Sequence, residues 1–155
     1  MKRRTFIRNS GVVLAAAAVP GFLQAAKESP LIYISPLKSN GDLSACQAEV
    51  WFVENGGDFY VVTAADAWRA QAITQGLHTT QIWVGDVGQW QSADGRYKSL
   101  PSIRAQGAQL NEKSEHARLL PVFGNKYVDE WGTWGPRFKR GLADGSRVLL
   151  RYTPA

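Results

Sequence analysis

The stretch CQAEVWFVENGGDFYVVT, Cys46 to Thr63, decides how the chain is read. Two runs of β-branched and aromatic residues, Cys46–Val53 and Phe59–Thr63, flank Glu54-Asn55-Gly56-Gly57-Asp58. Val, Phe, Trp and Tyr suit a pleated, half-buried surface, and Asn-Gly and Gly-Asp supply the backbone freedom of a tight turn. The spacing predicts a β-hairpin. Alternation places Val50 and Phe52 on one face and Trp51 and Val53 on the other.

Beyond the hairpin, Ala64–Gln75 (AADAWRAQAITQ) changes to helix formers and stops at Gly76. Trp68, Ala72 and either Ala65 or Gln75 recur at helical spacing and predict its buried face. Lys27–Pro30 reads as a linker, followed by a short strand at Leu31–Ile34 that Ser35-Pro36 closes. Thr80–Val84, Ser102–Leu110 and Arg147–Thr153 read as further strands. Ile103, Ala105 and Gly107 alternate with Arg104, Gln106 and Ala108, the pattern of a strand open to water on one side. Ser114–Leu120 is expected to be helical with Ser114 as its N-cap, and Pro121 to interrupt it before a second piece at Val122–Trp131. Trp131–Pro136 is expected to be irregular. About six strands, with too few helices to cover both faces of a parallel sheet, predict a mainly β fold: a six-stranded antiparallel barrel.

The chain has 155 residues, 45% apolar and 20% charged, which suits one folded domain and argues against disorder. Its single cysteine, Cys46, excludes an internal disulfide framework and a multi-cysteine zinc site, and reads as a small buried residue. The net charge of +5 comes from 18 bases against 13 acids, and its position matters more than its size. Lys2, Arg3, Arg4 and Arg8 precede an apolar run from Gly11 to Leu23 that ends in Gln24-Ala25-Ala26, the pattern of a secretory leader. At about 13 residues the apolar run is too short to span a bilayer, and Pro20-Gly21 breaks it.

Arg3-Arg4-Thr5-Phe6-Ile7-Arg8 resembles the twin-arginine export signal, with Lys2 and Arg8 as departures from its commonest form. That resemblance implies a leader over residues 1–26, passage through the twin-arginine translocase, and a domain over 27–155 in the periplasm or outside the cell. Such export carries folded proteins, often around a cofactor. With the leader gone, 14 bases face the same 13 acids, a net charge near +1. Nucleic-acid binding then loses its electrostatic basis. No membrane anchor would remain.

The order of elements and their residue types resemble the FMN-binding split barrels, the pyridoxamine 5'-phosphate oxidase-like proteins. The likeness runs through Ala48–Val53, the glycine turn, Phe59–Thr63, the helix with Arg69 and Ala72-Ile73, Thr80–Val84, and Arg104–Leu110. It implies a split barrel, a homodimer, and a flavin oxidoreductase whose cofactor lies between subunits. Thr63 and Arg69 match the family's hydroxyl and basic positions for the flavin phosphate. Trp51 lies on the strand that runs beside the flavin ring, and Arg104 is a further anion-binding candidate. Ala67 stands where a second hydroxyl is common, and Asp66 adds a negative charge.

The same residues also have a purely structural reading. Thr63 and Asp66 fit a helix cap, Arg69 the partner of Asp66, Trp51 a core residue, and Arg104 an exposed strand residue. A cofactor-free binding or structural module on the same barrel is therefore the competing expectation. A deazaflavin or haem in the same groove is not separable by sequence. Trp131 and Trp134 beside Arg137, Lys139 and Arg140 suit an anionic aromatic ligand, a subunit contact, or cation–aromatic packing on the protein itself. His78 and His116 lack the spacing of a zinc protease, and no nucleophile elbow, P-loop or dinucleotide fingerprint occurs.

Overall fold

A computed structural model describes residues 21–155; the basic head and most of the apolar run of the expected leader lie outside them. Seven strands form one sheet: β1 Ile32–Pro36, β2 Ala48–Val50, β3 Val53–Asn55, β4 Asp58–Ala64, β5 Thr79–Val84, β6 Ser102–Leu110 and β7 Arg147–Pro154. The spatial order is β2-β1-β5-β6-β7-β4-β3, and every pairing is antiparallel. Four helices accompany it: α1 over residues 21–28, α2 Trp68–Thr74, α3 Lys113–Lys126 and α4 Trp131–Asp144.

The hairpin forms as its residues require. Asn55 pairs with Asp58, and Gly56 and Gly57 take φ of +64° and +90°, the two positive values of a type I′ turn. The first half of the same segment behaves differently. Its ladder stops at Trp51-Phe52, and β2 pairs with β1 while β3 pairs with β4. One segment, Ala48–Asn55, thus supplies both outer strands and curls the sheet into a half-barrel. This bend is why seven strands appear where six were expected.

Phe52 N–H, left without a strand partner, donates to the hydroxyl of Tyr127 at 2.9 Å. The Tyr127 hydroxyl proton lies within reach of the carbonyls of Pro30 (2.8 Å) and Phe52 (2.9 Å). The Tyr127 ring stacks on Trp51 with centroids 4.3 Å apart.

Both faces of β1 and β4 are covered, which explains their near-continuous apolar runs. Inside the curl, Ile32, Ile34, Phe52, Phe59, Val61, Ile82, Leu150 and Tyr152 pack together. On the opposite face, Val53, Tyr60, Val62 and Leu149 pack beneath Leu119, Phe123 and Phe138 of α3 and α4. A third cluster joins Tyr33 and Trp83 to Ala93 and Tyr97 in a two-turn 3-10 stretch between β5 and β6. Helix α2 lies close on β6, because a Cβ at Gly107 would meet Ile73 Cδ1 at 2.9 Å and Tyr152 at 3.0 Å. Helix α1 belongs to the inner core: Phe22 is 1% exposed and meets Phe59 edge-on at 5.0 Å, and Ala26 is 2% exposed. A domain boundary between residues 26 and 27 therefore passes through a packed helix.

Several expectations are corrected. The fold is mixed α/β rather than mainly β, with two 14-residue helices on one face of the sheet. Helix α2 starts at Trp68 with Ala67 as its N-cap, so Thr63 remains in β4 and caps nothing. Its buried residues are Ala70, Ala72 and Ile73, with Trp68 only partly covered. Helix α3 continues through Pro121, and Glu112 rather than Ser114 is its N-cap. Leu119, Phe123 and Tyr127 press one stripe of it onto the sheet, and the exposed Pro121 lies off that stripe. Trp131–Pro136 is helical for the same reason, since Trp131, Trp134 and Phe138 share a buried stripe. Cys46 is exposed, lying in the open approach to β2.

Two substitutions test this arrangement. Tyr127→Phe keeps the stacked ring but leaves the buried Phe52 N–H unpaired, and is expected to cost about 1–3 kcal/mol in urea unfolding. Phe22→Ala is expected to cost about 3–5 kcal/mol, as a buried core aromatic does, whereas a dispensable linker residue would leave the urea midpoint unmoved.

Candidate functional site

The connection between β4 and α2 gathers polar atoms that the protein does not satisfy. Phe59, Val61 and Thr63 alternate along the inner face of β4, so the Thr63 hydroxyl points inward and is 2% exposed. Thr63 Oγ1, Trp68 Nε1 and Arg69 Nε are all buried without a hydrogen-bond partner. Tyr152 Oη, deep in the inner core, is likewise unpartnered. Buried polar groups are normally paired, so three orphans within Thr63–Arg69 mark this connection.

Electrostatics agree. Burial lowers the Arg69 pKa below the ordinary arginine value, with Tyr152 and Glu49 acting in the opposite direction. Burial raises the Tyr152 pKa, and the Arg69 charge opposes it. Arg69 makes no ion pair among the described residues. Asp66 is exposed, and no salt bridge joins it to Arg69.

The other two sequence candidates lie elsewhere. Trp51 is half-buried on the helix side, stacked on Tyr127 and edge-on to Trp134 at 5.9 Å and Phe138 at 6.3 Å. Arg104 lies on the exposed face of β6, its Nε–H 3.4 Å from Gln81 Oε1. Thr63 and Arg69 share one connection, and neither Trp51 nor Arg104 joins them. Of the C-terminal cluster, Arg137 sits 4.9 Å from the Trp134 ring centre, packing on the protein's own surface.

Sequence reasoning missed Lys126. Its ammonium sits 3.4 Å from the centre of the Phe52 ring, on the wall of a hollow of about 450 Å³. Glu28, Asp129 and Glu130 also line that hollow, yet none forms a salt bridge with Lys126. Burial lowers the Lys126 pKa to about 8. No local pattern announces this, because Phe52 lies 74 positions away in the chain.

The fold is that of the pyridoxamine 5'-phosphate oxidase-like split barrels. HutZ, the heme storage protein from Vibrio cholerae, superposes with a TM-score of 0.58 at 14% identity, covering 88% of this chain and 89% of that one. The general stress protein 26 from Bacillus anthracis gives 0.55 at 12% identity, covering 88% of each chain. A Clostridium acetobutylicum protein related to general stress protein 26, of the pyridoxinephosphate oxidase family, gives 0.57 at 10% identity over 89% of this chain and 84% of that one. No protein-family model and no curated protein sequence matches the chain.

The donor chemistry of this connection bears on whether a flavin phosphate suits it. The β4–α2 connection carries a hydroxyl, an indole N–H and a guanidinium Nε–H without partners, the donor types an anion such as a phosphate accepts from. The donor set fits such a group.

Lys126 gives a pH signature. The folded chain releases this proton near pH 8, whereas the unfolded chain holds it to the ordinary lysine value of 10.5. Between those limits the unfolded state binds more protons, so this group's contribution to stability rises with pH. Lys126→Met is expected to raise the melting temperature at pH 7 and to flatten that rise between pH 8 and 10, followed by thermal unfolding across the range.

Proposed function

We propose that this protein binds a small anionic ligand at the β4–α2 connection, with the phosphate of FMN as first candidate. Thr63, Trp68 and Arg69 would hold the phosphate. The observation that carries the reading is the set of three unpartnered buried donors in that short connection. The flavin, when bound, would supply the redox chemistry, and the chain would supply anchoring and orientation. On this reading the protein is an oxidoreductase working as a homodimer, with Trp51 and Arg104 outside the phosphate contact. Haem would need an axial ligand, and neither histidine, His78 or His116, lies within Thr63–Arg69, where the unpartnered donors sit.

The second reading, a cofactor-free module, draws on one observation. Thr63 is 2% exposed, and neither the cavity of about 1040 Å³ between α3 and α4 nor the hollow of about 450 Å³ beside Lys126 reaches the β4–α2 connection. One experiment separates the two. Protein purified after expression with its leader is expected to show oxidised-flavin absorbance near about 450 nm, a property of the cofactor itself, or to take up added FMN. Arg69→Ala is expected to weaken FMN binding about tenfold or more, the worth of one charge-assisted hydrogen bond. Colourless wild-type protein that takes up no FMN would support the module instead.

We also propose export through the twin-arginine translocase to the periplasm, on the strength of Arg3-Arg4-Thr5-Phe6-Ile7-Arg8 and the apolar run behind it. The packing of Phe22 and Ala26 supports a mature chain that keeps them. Cell fractionation with an Arg3→Lys, Arg4→Lys pair checks the route, which that pair is expected to block. Intact mass of the periplasmic protein checks the N-terminus.

A further inference from the structure

The helical hairpin carries a second feature, independent of the proposed anion site. Between α3 and α4 runs an open groove of about 1040 Å³, the size of a small-molecule pocket. Leu120, Pro121, Trp131, Pro136 and Leu142 give it apolar walls. Every titratable residue lining it is a base, namely Lys113, His116 and Lys139, and no carboxylate lines it.

The basic groups gather toward one end of the groove, while its apolar walls run along all of it. Helices α3 and α4 are joined by the short link Tyr127–Glu130 and run back alongside each other. Lys113 and His116, at the start of α3, therefore lie toward the later part of α4, which bears Lys139. Leu120 and Pro121 lie at the middle of α3, opposite the middle of α4 with Pro136, and Trp131 and Gly132 lie at the far end. The His116 ring is pinned at the basic end by its Nε2–H, which donates to the Leu110 carbonyl at 2.8 Å. At the other end the Trp131 indole is clasped between helices, since a Cβ at Gly124 or at Gly135 would meet it at 2.8 Å. The groove thus has one basic end, where Leu142 also lies, and an uncharged apolar stretch leading from it to Trp131.

We infer that this groove binds an amphipathic carboxylate, a long-chain alkyl acid, with its head at Lys113 and Lys139 and its tail along Leu120, Pro121 and Trp131. The cations complement the head, and water released from the apolar walls drives binding of the tail.

The full chain is titrated with octanoate, decanoate and laurate below their micellar concentrations, by calorimetry and tryptophan emission. Binding is expected to saturate at one per chain and to tighten about three- to fourfold for each added methylene, the worth of burying a CH₂ group. Dodecylamine, with the same tail and the opposite charge, is expected to bind at least tenfold more weakly than laurate. Gly132→Leu adds a side chain where nothing lies within 4 Å and removes an exposed helical glycine, so it fills the groove without strain. It is expected to weaken laurate at least tenfold with the melting temperature held or raised. The Lys113→Glu, Lys139→Glu pair is expected to do the same with the circular dichroism unchanged. Absence of saturable laurate binding, equal binding of dodecylamine, or laurate binding indifferent to both variants overturns the inference. A wild-type dimer that Gly132→Leu dissociates, with no laurate binding, overturns it too and assigns the groove to a second copy of the chain.

Discussion

The Tyr127 hydroxyl meets the backbone at the one place where the sheet has no ladder of its own. Between β2 and β3 the segment must leave one edge and join the other, and a buried amide at such a bend loses its strand partner. Tyr127 restores the bond from the end of α3, and the same ring stacks on Trp51. Helix, bend and both outer strands are thereby fixed to one another through a single side chain. The hollow beside it, with Lys126 on the Phe52 ring, forms where α3 ends against the link from α1.

Covering both faces of β4 has consequences for the polar groups caught inside. Helices α1 and α2 fill the inner side, and α3 and α4 the outer one. At the junction of strand and inner helix, single polar atoms then lose access to water without gaining protein partners, which is the state of Thr63 Oγ1, Trp68 Nε1 and Arg69 Nε. Unsatisfied buried donors carry a free-energy cost, and native structures keep few of them. The hairpin on the outer side has no such orphans lining its groove; there the unused capacity is apolar surface and positive charge.

Much of the sheet was legible because its signals are local. Asn55-Gly56-Gly57 specifies a turn by backbone conformation alone, and Ser102–Leu110 shows its two faces in strict alternation. The break at Trp51-Phe52 was not legible, because the hydroxyl that stabilises it comes from residue 127. Prolines misled twice: Pro121 and Pro136 lie within helices held by stripes of buried aromatics, so tertiary packing outweighed the missing N–H. Of the site, Arg69 was visible as a base near a strand-to-helix step. Its burial, and the unpartnered Trp68 beside it, follow from how α2 sinks against Gly107, which no spacing reveals.

The position of β7 bears on how the chain reaches this structure. The final strand in chain order lies between β4 and β6 and joins the half built from the hairpin to the half built around β1 and β5. The residues of both halves are made before Arg147–Pro154, and the inner edges of β4 and β6 have no strand partner until β7 bonds with both. Closing the sheet therefore waits on β7, through contacts distant in sequence that form slowly. Until then the exposed edges of β4 and β6 are the molecule's points of misassociation, and chaperones meeting the nascent chain would find their targets there.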